Sequence, residues 1–582
     1  MTQAARPAGR TLKEFKDQDT ENGLLPAEDD LHAAARQGET CVLDEHEKPP
    51  IRASFIRFLA LGGDEKAPVH EKGVDLENAT IEGQLDLSRC KNVLPLYLDN
   101  CTLSSDAPIT AQDAHLSLLS LQGSTVPGGI DADRANVEGS VLLRNGARIK
   151  GEIRFSGAQI HGDFDASGST LTKADGDALF CDRARIGGTV FLSENANITG
   201  TVNFRGARIE GDLDAHNSTL TAKHSIALVT EHAVIEGKAL LSNGFKSDGT
   251  IHFRGATVRR DLDLTDSVIK QPRGSAFDLR DIRVEGTLHL DSVRDDSKVP
   301  GRIDGHIDLR GAHVAYFADR LADTEPENAP GVIGLDQFRY ERFVGNSTLN
   351  VDARLRWLRF QPAHHQRGTA GSPDGRAELS RFRPQPYDQL ADVYRAIGHH
   401  RDYHRVLREK HTRALRDDVG ISPDMDADAR VRTWVARISS WQRLAPLKWL
   451  FVEQLIGYGH RVWPLFAVFF ALFGLSFVVF WAASGAGLMV PTDGDILVHA
   501  AWEGACASDW PDCDLPILKD YPDFSAFFYT LDILLPIVGL EQQAMWTPNW
   551  VWLNVLKWIN ILYGWFTGLM LVAIVSGVVQ RA

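Results

Sequence analysis

The chain lacks most of the features by which an enzyme or a nucleic-acid binder announces itself. Basic residues are in deficit, 62 Lys and Arg against 77 Asp and Glu, so its 582 residues carry a formal charge of -15. No broad basic face can offset phosphate, which argues against nucleic acid as a partner. Cysteine is scarce, six residues with no CxxC pair and no zinc or haem spacing. No GxGxxG follows a strand, and there is no P-loop, HExxH or GxSxG. From the residues, then, no catalytic residue, metal or cofactor is assigned. The opening MTQAARPAGRTLKEFKDQDT has no apolar core, so no secretory signal is expected and the large N-terminal part is expected in the cytoplasm.

What is present is repetition. FSGAQIHGDFDA from Phe155, FRGARIEGDLDA from Phe204 and FRGATVRRDLDL from Phe253 are 49 residues apart. The phrase Ala-x-Ile/Val-x-Gly recurs from Ala79 to Ala233, and the apolar centres Val137, Ile149 and Ile160 return as Ile186, Ile198 and Ile209. Apolar residues alternate over short stretches and glycines fall where the chain must turn, the pattern of a parallel β-helix. If each 49-residue unit makes two coils of 23–26 residues, about ten coils at the inter-strand spacing give a rod on the order of 50 Å. The fold class expected is mainly β: a right-handed parallel β-helix with helical caps, then an α-helical hairpin and a two-span α-helical membrane domain.

The boundaries follow from composition. Residues 1–72 read as a helical cap, with Ile51, Phe55, Phe58 and Leu59 on one face, and 73–350 as the repeat domain. A capping helix and linker occupy 351–380, a tetratricopeptide-like hairpin broken at Gly398 occupies 381–420, and Arg- and Trp-rich amphipathic helices occupy 421–461. The remainder, 462–582, is the membrane domain, with uncharged spans at 462–483 and 558–579. Basic residues flank the outer ends of both spans, and between them Lys519 stands among many carboxylates, so both chain ends are expected inside and the 484–557 loop outside. In that loop Cys506 and Cys513 can form a disulfide, while Cys41, Cys90, Cys101 and Cys181 stay reduced.

Several residues are candidates for chemistry. Asp163, Asp212 and Asp261 recur in one column and Asp165, Asp214 and Asp263 in another; a solvated face is the expected reading, with Arg205, Arg254 and Arg310 as partners. His400 and His404 stand four apart, beside His399, and read as surface or hinge histidines rather than metal ligands. The segment 524–548, FSAFFYTLDILLPIVGLEQQAMWTP, is too short to cross a bilayer and is interrupted by Asp532 and Pro536. It is expected to lie at the interface or to re-enter the membrane. The order helix, re-entrant segment, helix is that of a potassium-channel pore unit, with Gly539 and Glu541 in the filter's place. Asp532, Pro536, Gly539 and Glu541 are therefore the candidate pore residues. Gly564 and Gly568 form a small-xxx-small pair suited to helix packing, which points to a homo-oligomer.

Taken together, IRASFIRFLALGG, the ARIEGDLD-style repeats, FRPQPYDQLADVYRAIGHHRDYHRVL and YTLDILLPIVGL give the chain a resemblance to a bacterial family. Its members are membrane-anchored β-helix proteins, pentapeptide-repeat-like, that carry the label "membrane-associated oxidoreductase". The resemblance implies a bacterial inner-membrane, multi-pass protein and a redox activity whose motifs the sequence does not display. The leading expectation is a non-enzymatic cytoplasmic scaffold or sensor that meets a protein partner on its β-helix face. The alternatives are an oligomeric pore gated through the β-helix and the oxidoreductase of the family label.

Overall fold

The computed structural model describes residues 11–18, 24–290, 303–319, 332–361, 382–419, 463–494, 521–535 and 539–575. The chain falls into two compact units, Met1–Val406 and Leu407–Ala582. The expected juxtamembrane helices of 421–461, Pro536 and the Cys506–Cys513 pair lie outside the described residues.

The first unit is a parallel β-solenoid of about ten turns. Two long parallel sheets, of 20 and 15 short strands, make its faces. Ile160 pairs with Ile186, Ile186 with Ile209 and Ile209 with Ile235, steps of 26, 23 and 26 residues. Two unequal coils therefore add to the 49-residue repeat. Val137, Ile160, Ile186, Ile209, Ile235, Val258 and Val284 form one interior row, each at most 1 % exposed. Each such side chain contributes about 1.5–3 kcal/mol by burial. Phe155, Phe204 and Phe253 occupy every second coil of another buried row, alternating with Cys181 and Thr230, while Arg208 and Glu210 alternate outward.

Glycine serves two separate ends in the repeat. Gly206 sits at a corner with φ 61°, and Arg183 and His232 fill the same corner on neighbouring coils at φ 54° and 57°. Gly211 instead lies against the coil beneath, where a Cβ would come within 2.7 Å of the Gly188 backbone. That position is closed to a side chain by contact rather than by φ.

The solenoid begins earlier than the repeated phrase. Ile51, expected on a helix face, is in the strand Pro50–Arg52, paired with Thr80–Glu82, and Cys41–Val42 pairs with Leu76–Glu77. A β-branched residue after Pro50 suits the strand, and the helix starts only at Ala53. Three helices precede or cap this end: α1 (Leu12–Gln18), α2 (Pro26–Gln37) and α3 (Ala53–Ala60). Phe15, Phe55 and Phe58 pack together there, and the fully buried Glu28 grips Arg52 at 2.6 Å.

At the far end α4 (Val351–Trp357) lays Trp357 on Phe317, Tyr340 and Phe343. The buried Arg354 stacks on Phe343 and pairs with the equally buried Asp319 at 2.9 Å. The hairpin follows as α5 (Gln385–Ala396) and α6 (His400–Val419), broken at Gly398 with φ 81°. Gln385 and Gln389 of α5 donate to the Phe338 and Tyr340 carbonyls, which fixes α5 along the last coil.

The second unit holds α7 (Trp463–Gly485), the short α8 (Ala526–Leu534), the single turn α9 (Gln542–Met545) and α10 (Val551–Val575). Met489–Pro491 after α7 pairs antiparallel with Trp546–Pro548 before α10. Among the described residues one helical stretch, Phe466–Gly485, is long and apolar enough to cross a membrane.

Candidate functional site

The carboxylate columns of the solenoid are consumed by the backbone, which corrects the expectation of a plain solvated face. Asp163, Asp212 and Asp261 accept from the N–H of Thr189, Lys238 and Thr287 on the next coil, at 2.8, 2.6 and 2.9 Å. Asp165, Asp214 and Asp263 accept from the N–H two residues on and so shape their own turns. Asp165 is only 6 % exposed. The arginines also differ from expectation, since Arg205 pairs with Glu231 and Arg310 with Asp308. These columns are corner fasteners.

Among the described residues no three His, Cys, Asp or Glu side chains gather as a metal would require. His399 stacks on Tyr394 and faces Asp402, and His404 packs edge-on against Tyr403. The thiols of Cys41, Cys90, Cys101 and Cys181 are all buried. Burial pushes Cys41 up to about 11 and Cys101 up to about 12, so neither is a nucleophile at neutral pH.

One outer face of the solenoid carries a continuous ladder of ion pairs. Arg208 bonds Glu210 on its own strand and Glu236 on the next coil, both at 2.7 Å. Arg259 then reaches back to Glu236 at 3.5 Å and forward to Glu285 at 2.6 Å, and Arg283 joins Glu285 at 3.3 Å. The two residue columns that build it continue through His313 and Ala315 to Arg339 and Glu341, with a one-residue bulge that sets Glu285 and Gly286 together against Ala315. There the ladder stops, because Ala315 supplies no charge. Arg339 and Glu341 have no ion pair among the described residues.

At that place the surface opens into a cavity of about 500 Å³ lined by Arg283, Glu285, His313, Ala315, Glu341 and Gln389. A second cavity of about 390 Å³ continues from Glu341 and Gln389 along α5 to Asp392 and Arg395. Helix α5 forms one wall and the last coils the floor. Partial burial, with the positive charges of Arg339 and Arg283, lowers the pKa of His313 from its ordinary value. Its ring is accordingly neutral at pH 7.

In the second unit Asp532 is 4 % exposed and both its oxygens are occupied. They accept from the N–H of Leu540 at 3.0 Å and of Gln543 at 2.8 Å, so the carboxylate pins the chain that returns from α8. Glu541 between them is exposed in a left-handed conformation with φ 61°, and Gly539 is exposed with open space around it. Gln542 ties the same return to Ser525 and Asp523, and Trp546 donates to the Pro522 carbonyl at 3.0 Å. Gly564 is buried and Gly568 half-buried on α10.

Comparison of the chain with protein-family models, with curated proteins and with solved structures found no match. Function must therefore be argued from the geometry.

Two features escaped the sequence reading. The Arg-x-Glu alternation of ARIEG, RVEG and RYER is visible in the letters, but only the coil register shows that it forms one ladder with one gap. The other is a clamp between α7 and α10, where the fully buried Asn560 donates to Ser476 Oγ at 2.8 Å. Neither residue belongs to a motif; a lone Asn inside an apolar run was the available signal.

Proposed function

We propose that this chain is a non-enzymatic docking platform of the bacterial inner membrane. The solenoid presents the groove beside α5 to a protein partner, and the helical unit holds it at the bilayer. The observation that carries this reading is the ion-pair ladder that ends at Glu285 and leaves Arg339 and Glu341, further along the same face, without ion pairs among the described residues in an open groove walled by α5. The outward apolar and aromatic surface of α7 and α10 supports the membrane part, with Phe470, Trp481, Trp552, Trp558 and Leu562 all more than half exposed. In this reading α7 and α10 are the two spans of a multi-pass protein, both chain ends are cytoplasmic, and the coil is right-handed as parallel crossovers are. The likeness to membrane-anchored β-helix proteins agrees with it.

A photo-crosslinking residue placed at Gln389 in cells tests the proposal. A discrete protein adduct from Gln389, absent from the same probe at the exposed Thr172, supports it. Equal labelling from both positions removes it.

A second reading, an oligomeric pore, is favoured by one observation: α8 packs between α7 and α10 and its return is pinned by Asp532. A short helix followed by a fastened, non-helical return is how a pore loop is built. Conductance in reconstituted bilayers that disappears in Glu541→Ala supports a pore. Absence of conductance in every oligomer isolated in detergent defeats it.

A further inference from the structure

The gap in the ladder has a specific shape and charge, and the molecule itself shows what fills such a place. Arg259 stands in the outer column between Glu236 on one neighbouring coil and Glu285 on the other, and its guanidinium contacts both. Ala315 stands across a one-residue bulge from Glu285 and Gly286 on one side and beside Glu341 on the other, and all three of Glu285, Ala315 and Glu341 line the cavity. The carboxylate above and the carboxylate below are both present, and the guanidinium is missing. We infer that the groove takes a basic, extended segment of a protein partner, one arginine of which enters the space above Ala315 and bridges Glu285 and Glu341.

The surroundings fit that occupant. A guanidinium matches two carboxylates better than an ammonium does, because its planar fork donates in two directions at once. The His313 ring beside the gap adds no full positive charge at pH 7, and Gln389 offers a neutral amide on the opposite wall. Two arginines, Arg283 and Arg339, also line the cavity; Arg259 already shares Glu285 with Arg283, so one carboxylate of this ladder does serve two guanidinium groups. The continuing cavity leads past the exposed Asp392–Arg395 pair on α5, at 2.8 Å, where a second incoming arginine would share Asp392 as Arg259 and Arg283 share Glu285. The chain's charge of -15 steers a basic segment toward it.

This inference rests on the reading of the groove as a docking site, and its test separates the two. The probe is a fluorescein-labelled (Ser-Arg)3 peptide, whose arginines share one face when extended, measured by anisotropy against the full chain in detergent. Ala315→Arg supplies the missing guanidinium from within, as Arg259 does, and is expected to fold with an undiminished Tm. It is expected to weaken the peptide by about tenfold, as loss of a central anchor does. Gln159→Arg, the same charge change on a distant coil of this face, is expected to leave binding within about twofold, as a remote surface charge does. Glu341→Gln, which keeps the side-chain shape, is expected to weaken binding as well. The inference is overturned if (Ser-Glu)3 binds as tightly as (Ser-Arg)3, or if Ala315→Arg and Gln159→Arg bind alike. If crosslinks from Gln389 persist under that result, the groove still docks a partner and only its chemistry was misread. If peptide binding behaves as expected but no adduct forms in cells, the arginine pocket stands and the platform reading falls.

Discussion

Gly206 and Gly211 are five residues apart and look alike in the sequence, yet replacing them has different consequences. Alanine at 206 meets an unfavourable φ and, 3.3 Å away, the Arg183 side chain, which is exposed and can yield, so the cost is about 1–2 kcal/mol. Asparagine there is expected to be nearly neutral, because Asn145 and Asn217 adopt the same φ sign at other corners of the coil. Alanine at 211 would put its Cβ 2.5 Å from Thr189 Oγ1 and 2.7 Å from the Gly188 backbone. The coils must part to admit it, so Gly211→Ala is expected to cost more than Gly206→Ala, about 3 kcal/mol as overpacking does. Urea denaturation of the two variants checks the order. The pair Asp319 and Arg354 is a second residue-scale case, with both side chains at 0 % exposure. Asp319→Ala leaves a buried guanidinium uncompensated and is expected to destabilise by about 3–5 kcal/mol. Asp319→Ala with Arg354→Met is expected to recover most of that in the same assay.

At the scale of elements, the C-terminal end of the solenoid is held by more than the helix that the sequence assigned to it. Helix α4 covers the aromatic interior, and α5 is fastened to the last coil by two glutamines. Replacing Gln385 and Gln389 with alanine is expected to loosen α5 without unfolding the rod. Hydrogen exchange should then speed up over Gln385–Ala396 and stay unchanged over the coils near Ile209. Uniform acceleration would mean that α5 is integral to the solenoid's stability. In the helical unit Asp532 acts in a similar way, and Asp532→Ala is expected to release the Leu540–Gln543 return. In the sequence Asp532 is a charge that interrupts an apolar segment; in the fold it satisfies two backbone N–H groups, a role that only the folded return reveals.

At the scale of the whole molecule, acid should weaken the solenoid in two stages. His252 is half-buried, and burial lowers its pKa despite the nearby Asp278 and Glu231. A lowered value in the fold means that its stabilisation is complete above about 6.5 and is lost as pH falls through the folded value. Asp278 follows at lower pH: burial raises its pKa, but the hydrogen bonds and charge of Arg280 outweigh burial and bring it below the ordinary value. The linkage sign is the same, with stability present above pH 3.8 and lost below it. Tm measured from pH 7.5 to about 2.5 should fall first near the histidine range and again below pH 3.8, and His252→Asn should flatten the first step alone. Topology is a separate expectation at this scale. Cysteine labelling at residue 523 in intact spheroplasts should succeed with an impermeant reagent, whereas labelling at residue 175 should require lysis.

The repeat was legible in the sequence because every coil solves the same problem with the same letters. Inward Phe, Ile and Leu alternate with outward charge, and small residues sit where coils touch, so local pattern and global fold agree. The phrase FRGARIEGDLDA alone determines which side chains point in and which out. It does not determine which outward charges meet across coils, because partners such as Arg205 and Glu231 or Arg208 and Glu236 lie 26 and 28 residues apart and depend on coil register. The ladder, its interruption at Ala315 and the groove beside α5 are therefore tertiary facts. So is the work of Asp212 and Asp532, whose carboxylates are spent on backbone donors that only the folded chain brings near. Periodicity fixes the direction of a side chain, and distance in space decides what it touches.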